Sequence, residues 1–275
     1  MRPPAPGTPP PRIALPGVRH LLAVASGKGG VGKSTVAANL ALALARTGAK
    51  VGLMDADIYG PSVPIMMGIP CPLDQATTPF PVHKFGLKLM SIGFVVPPDK
   101  AVIWRGPKVD RALRQFLTEL PWGPLDYLIL DMPPGTGDAQ LTITQQTNLS
   151  GAVIVTTPQD VSLIDARKGL EMFREVRVPV LGIVENMSYF MGEDGKRYEI
   201  FRHGGGKKLA EAAGVPFLGE IPIDPRVAEC GDAGEPMVHR YPDSPIAAAY
   251  GRLAESVIAQ LDSVQGGAEL PEVQM

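Results

Sequence analysis

The stretch that decides the fold is the glycine-rich run Gly27-Lys28-Gly29-Gly30-Val31-Gly32-Lys33-Ser34. It fits the pattern G-x-x-x-x-G-K-[ST], in which backbone N–H groups surround phosphate oxygens. The apolar run Leu21–Ala25 precedes it, and the segment Val36–Leu44 follows it with apolar residues at every fourth position. A strand, a glycine-rich loop and the N-terminus of a helix in this order predict a nucleotide site.

The residue types within this loop suit phosphate chemistry. Glycines let the backbone curl around phosphate oxygens, and the helix that follows adds the positive end of its dipole. Lys33 supplies a point charge to the β and γ phosphates, and Ser34 offers a hydroxyl to Mg²⁺. The alternative is a glycine-rich turn that binds nothing, but the flanking strand and helix favour the nucleotide site.

Strand-like and helix-like segments alternate along the rest of the chain. Further apolar runs typical of buried strands lie at Val51–Met54, Tyr127–Leu130, Ala152–Thr156, Val180–Val184 and Phe217–Ile221. Helical patterns lie near residues 108–119, 138–148, 161–176, 206–213 and 245–262. This alternation predicts an α/β fold, a doubly wound and mostly parallel sheet with helices on both faces.

The two ends of the chain differ from the middle in composition. Residues 1–12 contain six prolines and are predicted to be a disordered leader. Residues 13–262 are predicted to form one P-loop ATPase domain, and residues 263–275 a flexible tail.

Composition narrows the functional classes. The 275 residues carry a net charge of −2 and only 6% aromatic residues, which argues against broad nucleic-acid binding. No apolar run approaches the length of a membrane span, and the tail lacks the basic amphipathic pattern of a membrane-binding helix. With two cysteines far apart, the chain resembles proteins of a reducing compartment, so a cytoplasmic location is expected without nucleic-acid or membrane partners.

Two aspartate-containing strings follow predicted strands, at the edge where parallel sheets bind ligands. Asp131 ends the apolar run Leu128-Ile129-Leu130 and is predicted, with Ser34, to hold Mg²⁺. Met54-Asp55-Ala56-Asp57 follows an earlier strand, and its carboxylates either serve hydrolysis or simply form a turn. The string Met132–Asp138 combines stiff prolines with pliable glycines, which suits a switch whose Gly135 amide senses the γ-phosphate.

The longer string Ala25–Thr35 resembles the deviant Walker A loop of the MinD/ParA/nitrogenase-iron-protein class. The resemblance implies a homodimer that closes around two ATP molecules, in which Lys28 reaches the nucleotide of the partner. It also implies that Asp57 positions the attacking water, with Asp55 in support. The residues expected to bind the nucleotide are Gly27, Lys28, Gly29, Gly30, Val31, Gly32, Lys33, Ser34 and Thr35.

Further strings resemble the Mrp/ApbC branch of this class. They are Asp55–Ser62, Trp104-Arg105-Gly106-Pro107, Asp131–Asp138, Val184–Ser188, His203–Gly206 and Ile221–Asp224. Proteins of that branch are ATP-hydrolysing iron–sulfur cluster carriers that act as homodimers and pass clusters to apoproteins. By the same resemblance, Asn186 and Pro222 contact the adenine, and hydrolysis is slow until a partner completes the site.

One departure from the branch concerns the cluster itself. Relatives carry a C-x-x-C pair after the Asn-Met-Ser string, and two copies hold a shared [4Fe–4S] cluster. Residues 189–198 here contain no cysteine, and Cys71 and Cys230 are expected to be ordinary free thiols. A bridging cluster is therefore implied by the resemblance without its usual ligands. Two alternatives stay open, a positioning switch of the MinD/ParA type and a cluster-free regulatory ATPase.

Histidines give no metal signal in the sequence. His203 opens a glycine-rich helix start, where capping or loop packing is the expected role. His20, His83 and His239 are scattered and lack the spacing of metal ligands.

Overall fold

The computed structural model describes residues 13–74, 80–96 and 106–268. The strands are β1 (Val18–Ala25), β2 (Val51–Asp55), β3 (Val82–Lys84), β4 (Leu87–Ser91), β5 (Leu125–Asp131), β6 (Gly151–Thr156), β7 (Val180–Met191), β8 (Arg197–Tyr198) and β9 (Phe217–Ile223). The helices are α1 (Lys33–Arg46), α2 (Val63–Met66), α3 (Gly106–Thr118), α4 (Asp138–Gln146), α5 (Asp160–Glu175), α6 (Gly205–Ala213), α7 (Pro225–Asp232), α8 (Met237–Arg240) and α9 (Pro245–Ala268). The predicted leader, residues 1–12, and Trp104-Arg105 lie outside the described residues.

The strands form one mixed sheet. Its order is β3-β4-β2-β5-β1-β6-β7-β8, and β9 also pairs with β7. All neighbouring pairs run parallel except β3 with β4 and β7 with β8. The predicted doubly wound, mostly parallel sheet is thereby confirmed.

Helices cover both faces because the chain leaves β1 and β6 in opposite directions. The connection from β1 through α1 leads to β2 on one side, and that from β6 through α5 leads to β7 on the other. Right-handed crossovers in opposite directions place their helices on opposite faces. Accordingly, α1 packs against α9 while α5 packs against α6. The carboxyl ends of β1, β2, β5, β6 and β7 meet at one edge of the sheet, where ligands bind in such folds.

The structure corrects three details of the predicted organisation. Strands β3, β4 and β8 were not predicted, because they are short and lie beside Pro- and Gly-rich segments. Strand β7 runs on to Met191 instead of ending at Val184.

The predicted boundary at residue 262 is also wrong, since α9 continues to Ala268. Residues 263–265 are compatible with a helix, and Gly266-Gly267 is accommodated in its last turn although glycine weakens helices. Leu253, Val257 and Leu261 of the same helix are buried in the common core. The part of the predicted tail from residue 269 lies outside the described residues.

Candidate functional site

The phosphate loop joins β1 to α1. Gly30 and Gly32 both have a φ of 80°, in the left-handed region that residues with a side chain rarely adopt. A Cβ at Gly29 or Gly30 would meet no atom within 4 Å, so the concave side of the loop is open. Helix α1 begins at Lys33 without a side-chain cap, which leaves its first N–H groups free for an anion.

Gly27 has a different reason to be glycine. A Cβ at this position would lie 2.0 Å from the carbonyl oxygen of Asp165 in α5. The start of the loop therefore rests directly on the backbone of α5, and any larger residue would push the two elements apart.

Lys33 and Asp131 form a buried ion pair at the centre of the site. The Lys33 ammonium bonds the Asp131 Oδ1 and lies 3.0 Å from Ser34 Oγ. Among the residues that the structure describes, Asp131 Oδ2 is buried and has no hydrogen-bond partner. A hydroxyl beside an unpartnered carboxylate oxygen fits the hydration shell of Mg²⁺, so the predicted metal residues are brought together.

Asp55 organises the loop after β2. Its carboxylate is fully buried and accepts hydrogen bonds from the N–H groups of Asp57, Ser62 and Val63 and from the Ser91 hydroxyl. The bonds are 3.1–3.2 Å long. Asp55 therefore fixes the backbone that carries Asp57. Its structural role is larger than the simple turn formation considered from the sequence.

Asp57 lies half-buried at the same edge of the sheet. Its Oδ1 accepts a hydrogen bond of 3.2 Å from the Gly60 N–H. Burial is the largest cause that raises the pKa of Asp131, and the negative charge of Asp57 adds to it. The water-positioning role stays a prediction.

Two buried carboxyls share one cation here. Burial is the largest cause that raises the pKa of Asp55, to about 8, and the neighbouring Asp131 charge is the second. The N–H of Val63 and the charge of Lys33 act in the opposite direction. Burial also raises the pKa of Asp131, against the opposing charge of Lys33. The pair therefore retains a proton at pH values at which isolated aspartates are ionised.

We expect the thermal stability of the chain, measured without nucleotide, to fall as the pH rises from about 7 to about 8. A carboxyl with a raised folded-state pKa stabilises the fold fully below its unfolded pKa, and this contribution is lost as pH rises through the folded value. For Asp55 that window runs from about pH 4 to about pH 8. The upper part of this pH window lies above the range in which His20 titrates, because burial lowers the pKa of His20.

Circular dichroism melts at closely spaced pH values measure this effect. The free energy of unfolding should change by at most about 1.4 kcal/mol per pH unit for one proton. Asp131→Asn removes the neighbouring charge and should make the decrease smaller. A melting temperature that stays constant or rises over this interval contradicts the assignment.

The segment Met132–Asp138 lies against the phosphate loop. The Gly135 N–H donates to the Ser26 carbonyl at 3.0 Å, and Gly135 has φ 90°. A phosphate oxygen that accepts a hydrogen bond from this N–H has to displace the Ser26 carbonyl. The geometry suits the predicted γ-phosphate sensor, which remains untested.

A cavity of about 550 Å³ lies beside the loop, on the side of β9 and α7. Gly32, Thr35, Asn186 and Pro222 are among its lining residues. Asn186 is buried, and its Nδ2 donates to the Val31 carbonyl at 2.8 Å. The structure thus brings the two predicted adenine residues to the phosphate loop, and it shows Asn186 bonded to the loop backbone.

The two cysteines are poor candidates for cluster ligands. Cys230 is buried in α7 with its Sγ 3.9 Å from Met237 Sδ, and the Cys71 thiol donates to the Ile69 carbonyl. Burial raises the pKa of both thiols, which disfavours the thiolate that iron requires. Both are free, as expected.

Sequence reasoning missed one group of side chains beside the middle of β7. Glu185, His203 and Glu220 offer ligand atoms that all lie within 4.8 Å of one another. The signal was weak because each residue comes from a different element. The role predicted for His203, capping or loop packing, does not describe this contact with two carboxylates.

None of the helices in residues 13–74, 80–96 and 106–268 combines the length and apolar character that a bilayer span needs.

Comparison with known sequences gives a consistent picture. A family profile described as "ParA: NUBPL iron-transfer P-loop NTPase" matches residues 17–258. The iron-sulfur cluster carrier protein of Aquifex aeolicus is 54% identical over 255 residues, which cover 91% of this chain and 70% of that protein. The protein of the same name from Escherichia coli K12 is 53% identical, covering 89% of this chain and 68% of its own length.

Solved structures agree with the fold. A nucleotide-binding protein from Archaeoglobus fulgidus, determined in complex with ADP, has a TM-score of 0.72 and 40% identity. The match covers 84% of this chain and 90% of that one. The cell division ATPase MinD of Pyrococcus furiosus has a TM-score of 0.64 at 21% identity, covers 88% of this chain and 99% of its own, and supports the fold alone.

Proposed function

We infer that this chain, which belongs to the NUBPL iron-transfer P-loop NTPase family of the ParA type, is an ATP-hydrolysing carrier that binds iron–sulfur clusters and transfers them to apoproteins. The observation that carries the proposal is the assembled phosphate site, in which Lys33, Ser34 and Asp131 meet beside an open loop. Relatives named as cluster carriers share about half of the residues over nine-tenths of this chain.

Hydrolysis uses the residues at the carboxyl edge of the sheet. Lys33 would leave Asp131 to bind the β and γ phosphates, and Ser34 and Asp131 would hold Mg²⁺, which supplies charge stabilisation to the phosphates. Asp57 orients the water that attacks the γ-phosphorus, and ADP leaves with the bridging oxygen. The Gly135 amide releases Ser26 to bind the γ-phosphate, so the segment Met132–Asp138 moves with the nucleotide state.

The carrier works as a homodimer in this proposal. Lys28 is only half-buried, which leaves its side chain able to reach a second copy. A cation supplied in trans stabilises charge on the transferred phosphoryl group, as arginine fingers do. Dimer closure is then tied to ATP, and cluster transfer is tied to dimer opening.

The cluster is cargo, and its ligands differ from the usual pair. Residues 189–198 span the end of β7, the turn that follows it and β8, and they contain no cysteine. Cys230, which is buried, and Cys71, which is half-buried, are poor substitutes because burial raises the pKa values of both thiols. This observation favours a second candidate function, a regulatory ATPase of the same family that carries no cluster. Either protein would work in the cytoplasm, where free thiols persist.

Loading with iron and sulfide under anaerobic conditions separates the two functions. A carrier should take up about two iron atoms per chain, as expected for one [4Fe–4S] cluster in a dimer, and pass them to an apoferredoxin. The matched control is the Cys71→Ser/Cys230→Ser double variant. Loss of the cluster in this variant would assign the thiols as ligands, and retention would assign other side chains. A wild-type chain that hydrolyses ATP yet retains no iron would support the regulatory ATPase.

A further inference from the structure

A cluster of ionisable side chains outside the nucleotide site lies where β7, β9 and α6 meet. His203 Nδ1 lies 3.8 Å from Glu185 Oε1 and 3.6 Å from Glu220 Oε1. These separations are similar to those between ligands of a single metal ion, which are about 3–4 Å for bonds of about 2.1 Å. We propose that Glu185, His203 and Glu220 bind a divalent transition-metal ion, for which the Arg197 guanidinium is the competing cation.

The imidazole is oriented to act as a ligand. The Arg197 Nη2 lies 2.5 Å from His203 Nδ1. A guanidinium has only donors, so the Nδ1 atom is the acceptor in this contact. Its lone pair therefore points to the position of the Arg197 guanidinium beside the two carboxylates, which is the position that a metal ion would take.

Glu185 is held rigidly in place by its neighbours. The side chain is fully buried, and its oxygens accept hydrogen bonds from the Ser188 hydroxyl and from the N–H groups of Gly204 and Gly206. Hydrogen bonds of this kind fix the orientation of a metal-ligating carboxylate. Because the Gly204 and Gly206 N–H groups belong to the start of α6, the carboxylate serves the helix and the site together.

Charge and donor type decide the class of ion. Two carboxylates balance the charge of one divalent ion once Arg197 has moved away, and the imidazole nitrogen favours iron, cobalt, nickel or zinc over magnesium and calcium. The side chains of His203 and Glu220 are 33% and 24% exposed, so an ion has access from solvent. The assignment of a metal site rests on this geometry alone. Only the choice of ferrous iron among these ions would rest on the proposed function.

Arg197 gives the proposal its sharpest consequence. It bonds Glu220 Oε2 at 3.0 Å and stacks on the Tyr189 ring at 3.8 Å, so it links the β7–β8 turn to this cluster. If the cluster served only as an ion-pair network, removal of Arg197 would leave no metal site. If the cluster binds an ion, removal of Arg197 removes the competitor and tightens binding.

The experiment is a titration of the full chain with Co²⁺, in excess Mg²⁺ and without nucleotide or sulfide, followed by visible absorption and calorimetry. Arg197→Gln should bind Co²⁺ about tenfold more tightly than the wild type, and Glu220→Gln and His203→Gln at least about tenfold more weakly. The Cys71→Ser/Cys230→Ser variant, the matched control, should bind like the wild type.

Three results would overturn the metal site. The first is that neither the wild type nor Arg197→Gln binds Co²⁺, and the second is that the Glu220 and His203 variants bind it as tightly as the wild type. The third is that Arg197→Gln binds Co²⁺ more weakly than the wild type. A gain in affinity cannot come from misfolding, so the Arg197 variant keeps the test decisive. Because no sulfide or ATP is used, failure here leaves the cluster-loading test untouched.

Discussion

Replacement of Lys33 by alanine is expected to abolish ATP binding. Its ammonium is the buried cation of the phosphate site, and α1 and the loop glycines alone have to hold the nucleotide when it is removed. Charge-assisted bonds to phosphate are the strong ones in such a site. We expect the affinity for Mg²⁺–ATP to fall at least about 100-fold, which corresponds to about 2.8 kcal/mol. Titration calorimetry measures it directly.

The control for this variant addresses stability. Lys33→Ala leaves the buried Asp131 without its cation, which by itself destabilises a fold. The double variant Lys33→Ala/Asp131→Asn removes that charge and should recover part of the melting temperature while still failing to bind ATP. Unchanged affinity in the folded single variant would contradict the assignment of the phosphate loop.

Replacement of Lys28 by alanine is expected to leave ATP binding by the monomer nearly normal and to abolish dimerisation with ATP. Because the lysine would act on the partner's nucleotide, turnover should fall at least about 100-fold, less than the largest effects of arginine fingers. Size-exclusion chromatography with ATP and a phosphate-release assay measure the two effects on one sample.

Asp57→Asn is the matched comparison for Lys28→Ala. Its amide oxygen can still accept the Gly60 hydrogen bond, but it is a poor group for orienting the attacking water. This variant should therefore form the ATP dimer and fail to hydrolyse, so dimerisation and turnover separate. If Lys28→Ala gives the same ATP dimer and turnover as the wild type, the lysine has no role in trans.

The sequence predicts most of the architecture because its signals are local. The loop Gly27–Ser34 and the apolar runs that became β1, β5 and β6 each carry their evidence within about a dozen residues. Burial on both faces gives each of those strands an uninterrupted apolar run, so they are easily found. The short strands β3 and β8 lie at or near the sheet's edges, and their few residues carry little pattern.

Contacts between distant segments explain what the sequence does not predict. Two of the hydrogen bonds that Asp55 accepts come from α2 and from the end of β4, and neither element has a local signature. Glu185, His203 and Glu220 are separated by a turn and a helix, so their spacing matches no metal motif. The bond between Asn186 and Val31 likewise depends on how β7 sits beside the loop.

Strand β7 has a consequence for how the two sites influence each other. Successive residues of a strand point to opposite faces, so Glu185 is directed at the start of α6 and Asn186 at the phosphate loop. Because Glu185 and Asn186 are adjacent in one strand, a displacement of β7 at the proposed metal site would also move Asn186 relative to the loop. If metal and nucleotide affect each other through this strand, thermodynamic linkage requires each to change the affinity of the other by the same factor.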